Sequence, residues 1–532
     1  MELTKENYFE QEPIILKDIE NSEFISFDLE FSGLIPSKFK IYDSPEENFQ
    51  KNKYMAENYR IIQIGITPFL KKDNYSKTYI AKPYNIYAFP SEKQCNNRFD
   101  FFLESIIFNR EHGCDFNKWI SQGVPYLNSE NLKKLTERLM GGNINKYDPK
   151  NISLFKNIVL YKEQDKIKFK NFNDKFNAFF NNPEEKVFKH EKVVRHLMLY
   201  FLNTLDENIR KRIFIEYKEE PIGEETKSYI LIHKLNSPEE KQQKINQENN
   251  ELISLIKKEK GIKNIIDKII SSKKPIVGHN CFIDLLFIMS HFMDDIPKNF
   301  HTFKLKIKNE FSGGIYDTKY IYNSSNFDFA EKKNESGVKN NINLEILYTN
   351  LFEENKKLEN DKKIIIEIPK NEKFVDYLNE KDDNKEKKFH QADYDSFTTG
   401  CSFIYLQNLL GEKNVKEHEN KLNCYHGLYS CYDLNNLDKE EKFLNNTTDA
   451  YFLIFNEKIF ENYEIMEKIK EEIINSKYVK CKINNKEIGG KYIVFINSEE
   501  KNNFIQICGK YNDYFNIKTI VEYKEGLKNK NK

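Results

Sequence analysis

Hydrophobic and polar positions change period several times along the chain, and each change predicts a new element. EFISFDLEF (23–31) alternates with period two among β-formers and stops at Ser32-Gly33, so it reads as a strand. RIIQIGIT (60–67) and TYIAKPYNIYAFP (78–90) continue as strands, the antiparallel start of a mixed sheet. PEEKVFKHEKVVRHLMLYFLNTL (183–205) is read as a helix, with IFIEY and SYILIHKL as short strands after it. The charged SPEEKQQKINQENNELISLIKKEKG (237–261) is read as a solvated helix joining two domains. From 262 the pattern becomes strand then helix: KPIVGHN is a buried strand ending in a turn, and CFIDLLFIMSHF an apolar helix. NINLEILYTNLF (341–352) is amphipathic, the polar stretch 358–388 is expected as a surface excursion, and HQADYDSFTTGCSFIYLQNLL (390–410) opens a further helix. The remainder (445–525) runs β-α-β-β-α-β through KTIVEY, and the tail GLKNKNK is expected to be disordered.

Composition narrows the class. At roughly 150 residues per domain, 532 residues suggest three or four domains. Hydrophobic residues at 39% and aromatics at 14% supply several cores, which excludes whole-chain disorder. Lys+Arg 83 against Asp+Glu 83 leaves no net charge, so a binder held by bulk positive charge is excluded and any nucleic-acid contact is local. With seven arginines, phosphate contacts rely on lysine point charges. The eight cysteines are scattered without a CxxC, the start MELTKENYFEQEP has neither basic head nor apolar run, and no window of 18 apolar residues occurs. A soluble, intracellular protein in a reducing compartment, with no membrane partner, is the expectation.

Three segments carry chemistry. Asp28-Leu29-Glu30 puts two carboxylates on one face of a strand, since i and i+2 point the same way. D-x-E is ordinary on an exposed strand of a chain that is 31% charged. Here Phe24, Ile25, Phe27 and Phe31 flank it, and unpaired buried carboxylates cost several kcal/mol, which favours a divalent cation such as Mg2+ or Mn2+. Asp284 follows Asn280, a candidate N-cap, and so falls early in the helix at a strand's C-terminal end. In His390-Gln-Ala-Asp-Tyr-Asp395, the histidine can serve as general base toward water while Asp395 completes a cage. Singly, these acids are ordinary dipole partners or surface charges. In the order D-x-E, D, H-x4-D they are what two-metal phosphodiester hydrolysis needs.

The chain resembles poly(A)-specific ribonuclease, a deadenylase of the DEDDh exonuclease group. The resemblance runs through FDLEFSGL (27–34), YDSPEENFQK (42–51), YNIYAFP (84–90), GCDFNKWISQGVPYLN (113–128), IVGHNCFIDLLF (276–287), YDTK (316–319) and HQADYDSFTTGCSFI (390–404). It implies an α/β, ribonuclease H-like fold, a mixed sheet flanked by helices. The nuclease domain would occupy 1–160 and 241–425, an inserted small α+β single-strand nucleic-acid-binding domain 161–240, an RRM-like α+β domain 445–525, and a disordered tail 526–532. It implies that Asp28, Glu30, Asp284 and Asp395 hold two Mg2+, with Mn2+ as substitute, and that His390 activates the water. The implied reaction is 3′→5′ hydrolysis of a poly(A) tail on single-stranded RNA, releasing 5′-AMP. Phe31, Leu34, Ile106, Lys319 and Leu344 match residues lining the path of the terminal nucleotides, and the Phe31 ring could stack on a base. A homodimer in cytoplasm and nucleus is implied as well.

Some positions depart from the family pattern. Arg195 fits the inserted domain's Arg-x3-His motif, but Leu199 stands at the histidine. Lys491 and Ile493 occupy the usual base-stacking positions of the RRM-like unit. The cap-stacking tryptophan has no counterpart, because the only tryptophan is Trp119 and the matching place is Lys482. His418, Cys424, His426 and Cys431 offer zinc ligands in a spacing that fits no familiar module. Alternatives are a 3′-end trimmer of small non-coding or piRNA precursors, a catalytically silent RNA-binding scaffold, and a site that acts on DNA.

Overall fold

The computed structural model describes residues 1–35, 39–40, 42–73, 77–93, 98–140, 145, 159–222, 225–325, 342–370, 374–375, 377–378, 389–424, 427, 429–437, 441, 449–455, 463–469, 472, 480–483, 491–496 and 501–530. They form two compact units, one of Met1–Ser129 with Gly261–Lys532 and one of Glu130–Lys260. No described helix is long and apolar enough to cross a membrane.

In the first unit the chain lays down β1 (Glu2–Leu3), β2 (Phe24–Phe31), β3 (Ile61–Lys71), β4 (Thr78–Ala81), β5 (Tyr84–Pro90) and β6 (Val124–Tyr126). The second unit holds β7 (Val187–Glu191), β8 (Ile213–Ile222) and β9 (Glu225–Lys234). Back in the first unit come β10 (Ile276–Gly278), β11 (Ile315–Asp317), β12 (Ile365–Glu367), β13 (Lys421–Leu422) and β14 (Tyr432–Asp433). The main sheet runs β1-β5-β3-β2-β10-β11-β13-β14. It is antiparallel through β5, β3 and β2, then parallel from β2 through β10 and β11 to β13. The expected mixed sheet is therefore present.

Period-two alternation in β2 decides what each face meets. Ile25, Phe27 and Leu29 enter a core with Ile64, Ile66 and the helices Lys263–Ser272 and Phe282–Phe292. Each such side chain contributes about 1.5–3 kcal/mol on burial. On the opposite face Ser26 Oγ donates to Ser396 O at 2.6 Å, and Thr67 Oγ1 lies 2.8 Å from Ser396 Oγ, so the helix Ala392–Leu410 crosses there. Two glycines allow the crossing. A Cβ on Gly65 would stand 1.7 Å from Ala392 O, and one on Gly400 2.1 Å from the Phe69 ring.

Several expectations need correction. The polar stretch 358–388 is no simple surface excursion: β12 pairs in parallel with β4, and Ile364, Ile366, Ile368 and Tyr377 are buried. Residues 371–373, 376 and 379–388 of that stretch lie outside the described ones. Segment 183–205 is a strand followed by the helix Arg195–Thr204, because Phe188 pairs with Ile232 in a three-stranded antiparallel sheet β7-β9-β8. The helices Glu163–Asn181 and Arg195–Thr204 pack on that sheet through Phe172, Phe176 and Leu199.

The C-terminal strands are β15 (Asp449–Phe455), β16 (Lys480–Ile483), β17 (Lys491–Ile496) and β18 (Phe515–Thr519), in antiparallel order β16-β17-β15-β18. KTIVEY is only half strand. Thr519 Oγ1 accepts the Glu522 N–H at 3.2 Å and Glu522 Oε2 accepts the Thr519 N–H at 2.8 Å, a capping box. It starts the helix Ile520–Lys530, so the tail expected to be disordered is helical through Lys530. Tyr523 of this helix stacks on Phe452 at 4.1 Å, Tyr42 meets both rings edge-on, and Lys524 pairs with Glu47.

Candidate active site

The site forms where the C-terminal end of β2 meets the first turns of two helices. Asp28 and Glu30 project from β2 toward the helix Ala392–Leu410, with Asp28 opposite Gly65 in the register. The missing side chain at Gly65 lets that helix's first turn come down beside them. One oxygen each of Asp28, Glu30 and Asp395 lie within 4.8 Å of one another. Asp284 stands outside this triplet and approaches it from the first turn of Phe282–Phe292, close enough for its charge to act on Glu30 and for that of Asp28 to act on it. The N-cap there is Cys281, one residue later than expected; Asn280 adopts φ 58° instead.

Burial pushes all four carboxyl groups above their ordinary range. For Asp28 the next cause is the charge of Asp395, and for Glu30 the charges of Asp28, Asp395 and Asp284. Asp28 likewise raises Asp284. Asp395 rises to about 8, with the His390 backbone N–H opposing burial. Among the described residues no lysine or arginine forms an ion pair with any of the four. Among the same residues Asp395 Oδ1 is buried without a hydrogen-bond partner. Four crowded, desolvated oxygen donors with an orphaned oxygen fit a hard divalent cation, which would reverse each upward shift.

His390 immediately precedes that helix's N-cap Gln391, with φ 68°. Its backbone N–H donates to Asp395 Oδ2 at 3.1 Å. Burial, then the neighbouring His112, holds its imidazole below the usual histidine range, which keeps a base available at neutral pH.

A family model described as CAF1 family ribonuclease matches residues 3–403. The chain belongs to the CAF1 family of ribonucleases. Its mixed sheet flanked by helices is accordingly the ribonuclease H-like α/β arrangement. The chain is 29% identical over 430 residues to "Poly(A)-specific ribonuclease PARN" of Xenopus laevis, covering 77% of this chain and 63% of that protein. It is 29% identical over 416 residues to "Pre-piRNA 3'-exonuclease trimmer" of Bombyx mori, covering 76% of this chain and 71% of that protein. Among solved structures, S. pombe Pop2p in its Mg2+ and Mn2+ bound form matches with TM-score 0.36 and 12% identity, covering 80% of this chain and 98% of that one.

The five residues expected to line a nucleotide path have varied surroundings in this CAF1-family chain. Phe31 is 6% exposed with its ring 4.0 Å from Phe287, so it is a core ring rather than an open stacking platform. Leu34 is half-buried, and its N–H donates to Ser105 Oγ at 2.9 Å. Ile106 is half-buried on the helix Leu103–Glu111. Lys319 is 7% exposed; burial lowers its pKa against the pull of Asp317. Leu344 opens the helix Leu344–Lys357, whose next residue, Glu345, adds to the upward shift of Asp395.

Two residues without a predicted role hold the site in place. Asp317 is fully buried and accepts N–H groups from Asn280 and Lys319 through Oδ1 and from Asn423 through Oδ2, at 2.9–3.0 Å. It ties the Asn280 turn, and hence the Asp284 helix, to the end of the sheet. Its sequence signals are its place in the YDTK motif and immediately before the helix Thr318–Ser324. Asn109 Nδ2 donates to Phe31 O at 3.1 Å, a contact with no sequence signal. Of the zinc candidates, His426 lies outside the described residues. The group in ligand reach among the described residues is Asp28, Glu30 and Asp395.

Proposed function

We propose that this chain is a 3′→5′ exoribonuclease that shortens poly(A) tails by hydrolysis, using two divalent cations, Mg2+ with Mn2+ as substitute. The observation that carries the reading is the meeting of Asp28, Glu30 and Asp395 within 4.8 Å, with Asp284 and His390 against them. The names of the relatives supply the substrate class. Asp28, Glu30, Asp284 and Asp395 would hold the cations. When bound, these supply Lewis-acid polarisation of the phosphate and of the attacking water. His390 receives the proton of that water, and its lowered pKa keeps it unprotonated for the task. Lys319, Leu34, Ile106 and Leu344 are proposed to line the approach of the terminal nucleotides.

The inserted 161–240 segment is proposed as a single-strand nucleic-acid-binding module, though Leu199, at its motif's histidine, is buried in the hydrophobic core. The 445–525 unit is proposed as RRM-like, supported by its βαββαβ strand order. Its Phe452 ring is already stacked on Tyr523, which argues against base stacking at that ring.

A second reading, trimming of small-RNA 3′ ends, is favoured by the match covering 71% of the Bombyx protein. Incubation of 5′-labelled oligo(A), oligo(U) and a structured small-RNA precursor with Mg2+ separates the two. Stepwise 3′ shortening with 5′-AMP release, fastest on oligo(A), is expected. Preference for the precursor favours trimming, and no shortening of any RNA overturns both.

A further inference from the structure

The His390 imidazole has no hydrogen bond at either ring nitrogen among the described residues. A general base is ordinarily oriented by a third group that bonds to it. Here two rings take that place. Phe108 lies 4.8 Å from the His390 ring and His112 4.5 Å from it, both at 72°. The two supporting rings face each other at 4.2 Å and 39°. His112 is itself anchored, since its Nδ1–H donates to Phe108 O at 2.8 Å.

The chain is built to present this pair. They occupy the last turn and C-cap of the helix Leu103–Glu111. Gly113, at φ 86°, and the N–H of Cys114 donating to Asn109 O at 2.9 Å close that helix and fix where His112 stands. Phe108 is 40% exposed, and what its ring meets there are the rings of His112 and His390. The same helix holds the strand end through Asn109 and Phe31 O, so the carboxylates on β2 and the support for His390 share one rigid element.

We propose that His112, backed by Phe108, is a positioning residue that orients the His390 ring for proton transfer. The inference rests on the nuclease reading above. A base rotated out of line loses rate without losing substrate affinity, and misplacement near 1 Å costs up to about 100-fold.

The test combines steady-state kinetics on oligo(A) with NMR of histidine-labelled protein, the His390 signal being assigned by its loss in His390→Ala. His112→Ala is expected to lower kcat by about 10–100-fold with KM unchanged. It is also expected to move the His390 ring resonance, which Phe108 and His112 shift through their ring currents. His112→Phe, which keeps a ring there, is expected to recover kcat to within about threefold. Unchanged kcat in His112→Ala, a phenylalanine variant as slow as the alanine one, or a rise in KM alone overturns the proposal. A wild-type protein inactive on every RNA overturns the nuclease reading instead. A His390 resonance indifferent to His112→Ala overturns the positioning role whatever the substrate.

Discussion

The backbone N–H of His390 donates to Asp395 Oδ2 at 3.1 Å, while Asp395 Oδ1 is buried with no hydrogen-bond partner among the described residues. The proposed base and a proposed metal ligand are thus placed by one short loop. Replacing the imidazole leaves this backbone contact in place. His390→Ala is expected to slow 5′-AMP release by about 10²–10⁴-fold. The Mn2+-induced rise in melting temperature is expected to stay, and calorimetry beside the rate assay checks both.

Asp28 faces Asp395 and raises Glu30 and Asp284 through like charge. Asp28→Asn removes that repulsion, so the metal-free protein is expected to melt higher than wild type. Activity should fall by more than about 100-fold, beyond the loss typical of a residue that merely supports a ligand. A thermal-shift titration with Mg2+ should show the cation-dependent rise reduced.

The pH response follows from the raised carboxyl groups. Each binds its proton more tightly in the fold than in the unfolded chain, so between the two pKa values the native state carries more protons and stability falls as pH rises. The window runs from about 4, the unfolded value, to about 8 for Asp395. The stabilising contribution is complete below the window and lost across it. Metal-free melting temperature is expected to decline from pH 5 to pH 8 through this contribution, and saturating Mg2+ to raise it more at pH 8. A cation effect equal at both pH values contradicts the assignment.

Gly65 sits where β3 meets Ala392, and any Cβ there enters the helix backbone. Gly65→Ala is expected to destabilise by about 1–3 kcal/mol, as overpacking does. It should also lower activity through displacement of Asp395. Urea unfolding and the AMP assay together check it; a variant of full stability and full rate contradicts this close contact.

How legible this was depends on whether the deciding contact is local. Asp28 and Glu30 were readable because period two puts i and i+2 on one face and the flanking phenylalanines mark that strand as buried. Asp284 was readable from strand, turn and helix. Its N-cap was misplaced by one residue because Asn280 bonds instead to Asn423, 143 positions away. Gly65 carries no signal in one sequence, since its reason is a helix contributed over 300 residues later. The segment 187–191 reads as helix in sequence because the partner that makes it a strand, Ile232 opposite Phe188, is distant. The helical tail was different: Thr519 and Glu522 are a capping box in plain sequence, masked by the β-rich KTIVEY reading. Phe31 takes its nucleotide role from the family resemblance, while Phe287, from another helix, covers its ring, a contact that no local sequence pattern signals.

Anomalous diffraction from crystals soaked in Mn2+ tests the central claim most directly. Two peaks about 4 Å apart, the usual spacing of a two-metal site, are expected, ligated by Asp28, Glu30, Asp284 and Asp395. Manganese bound elsewhere with these four carboxylates bare would contradict the account.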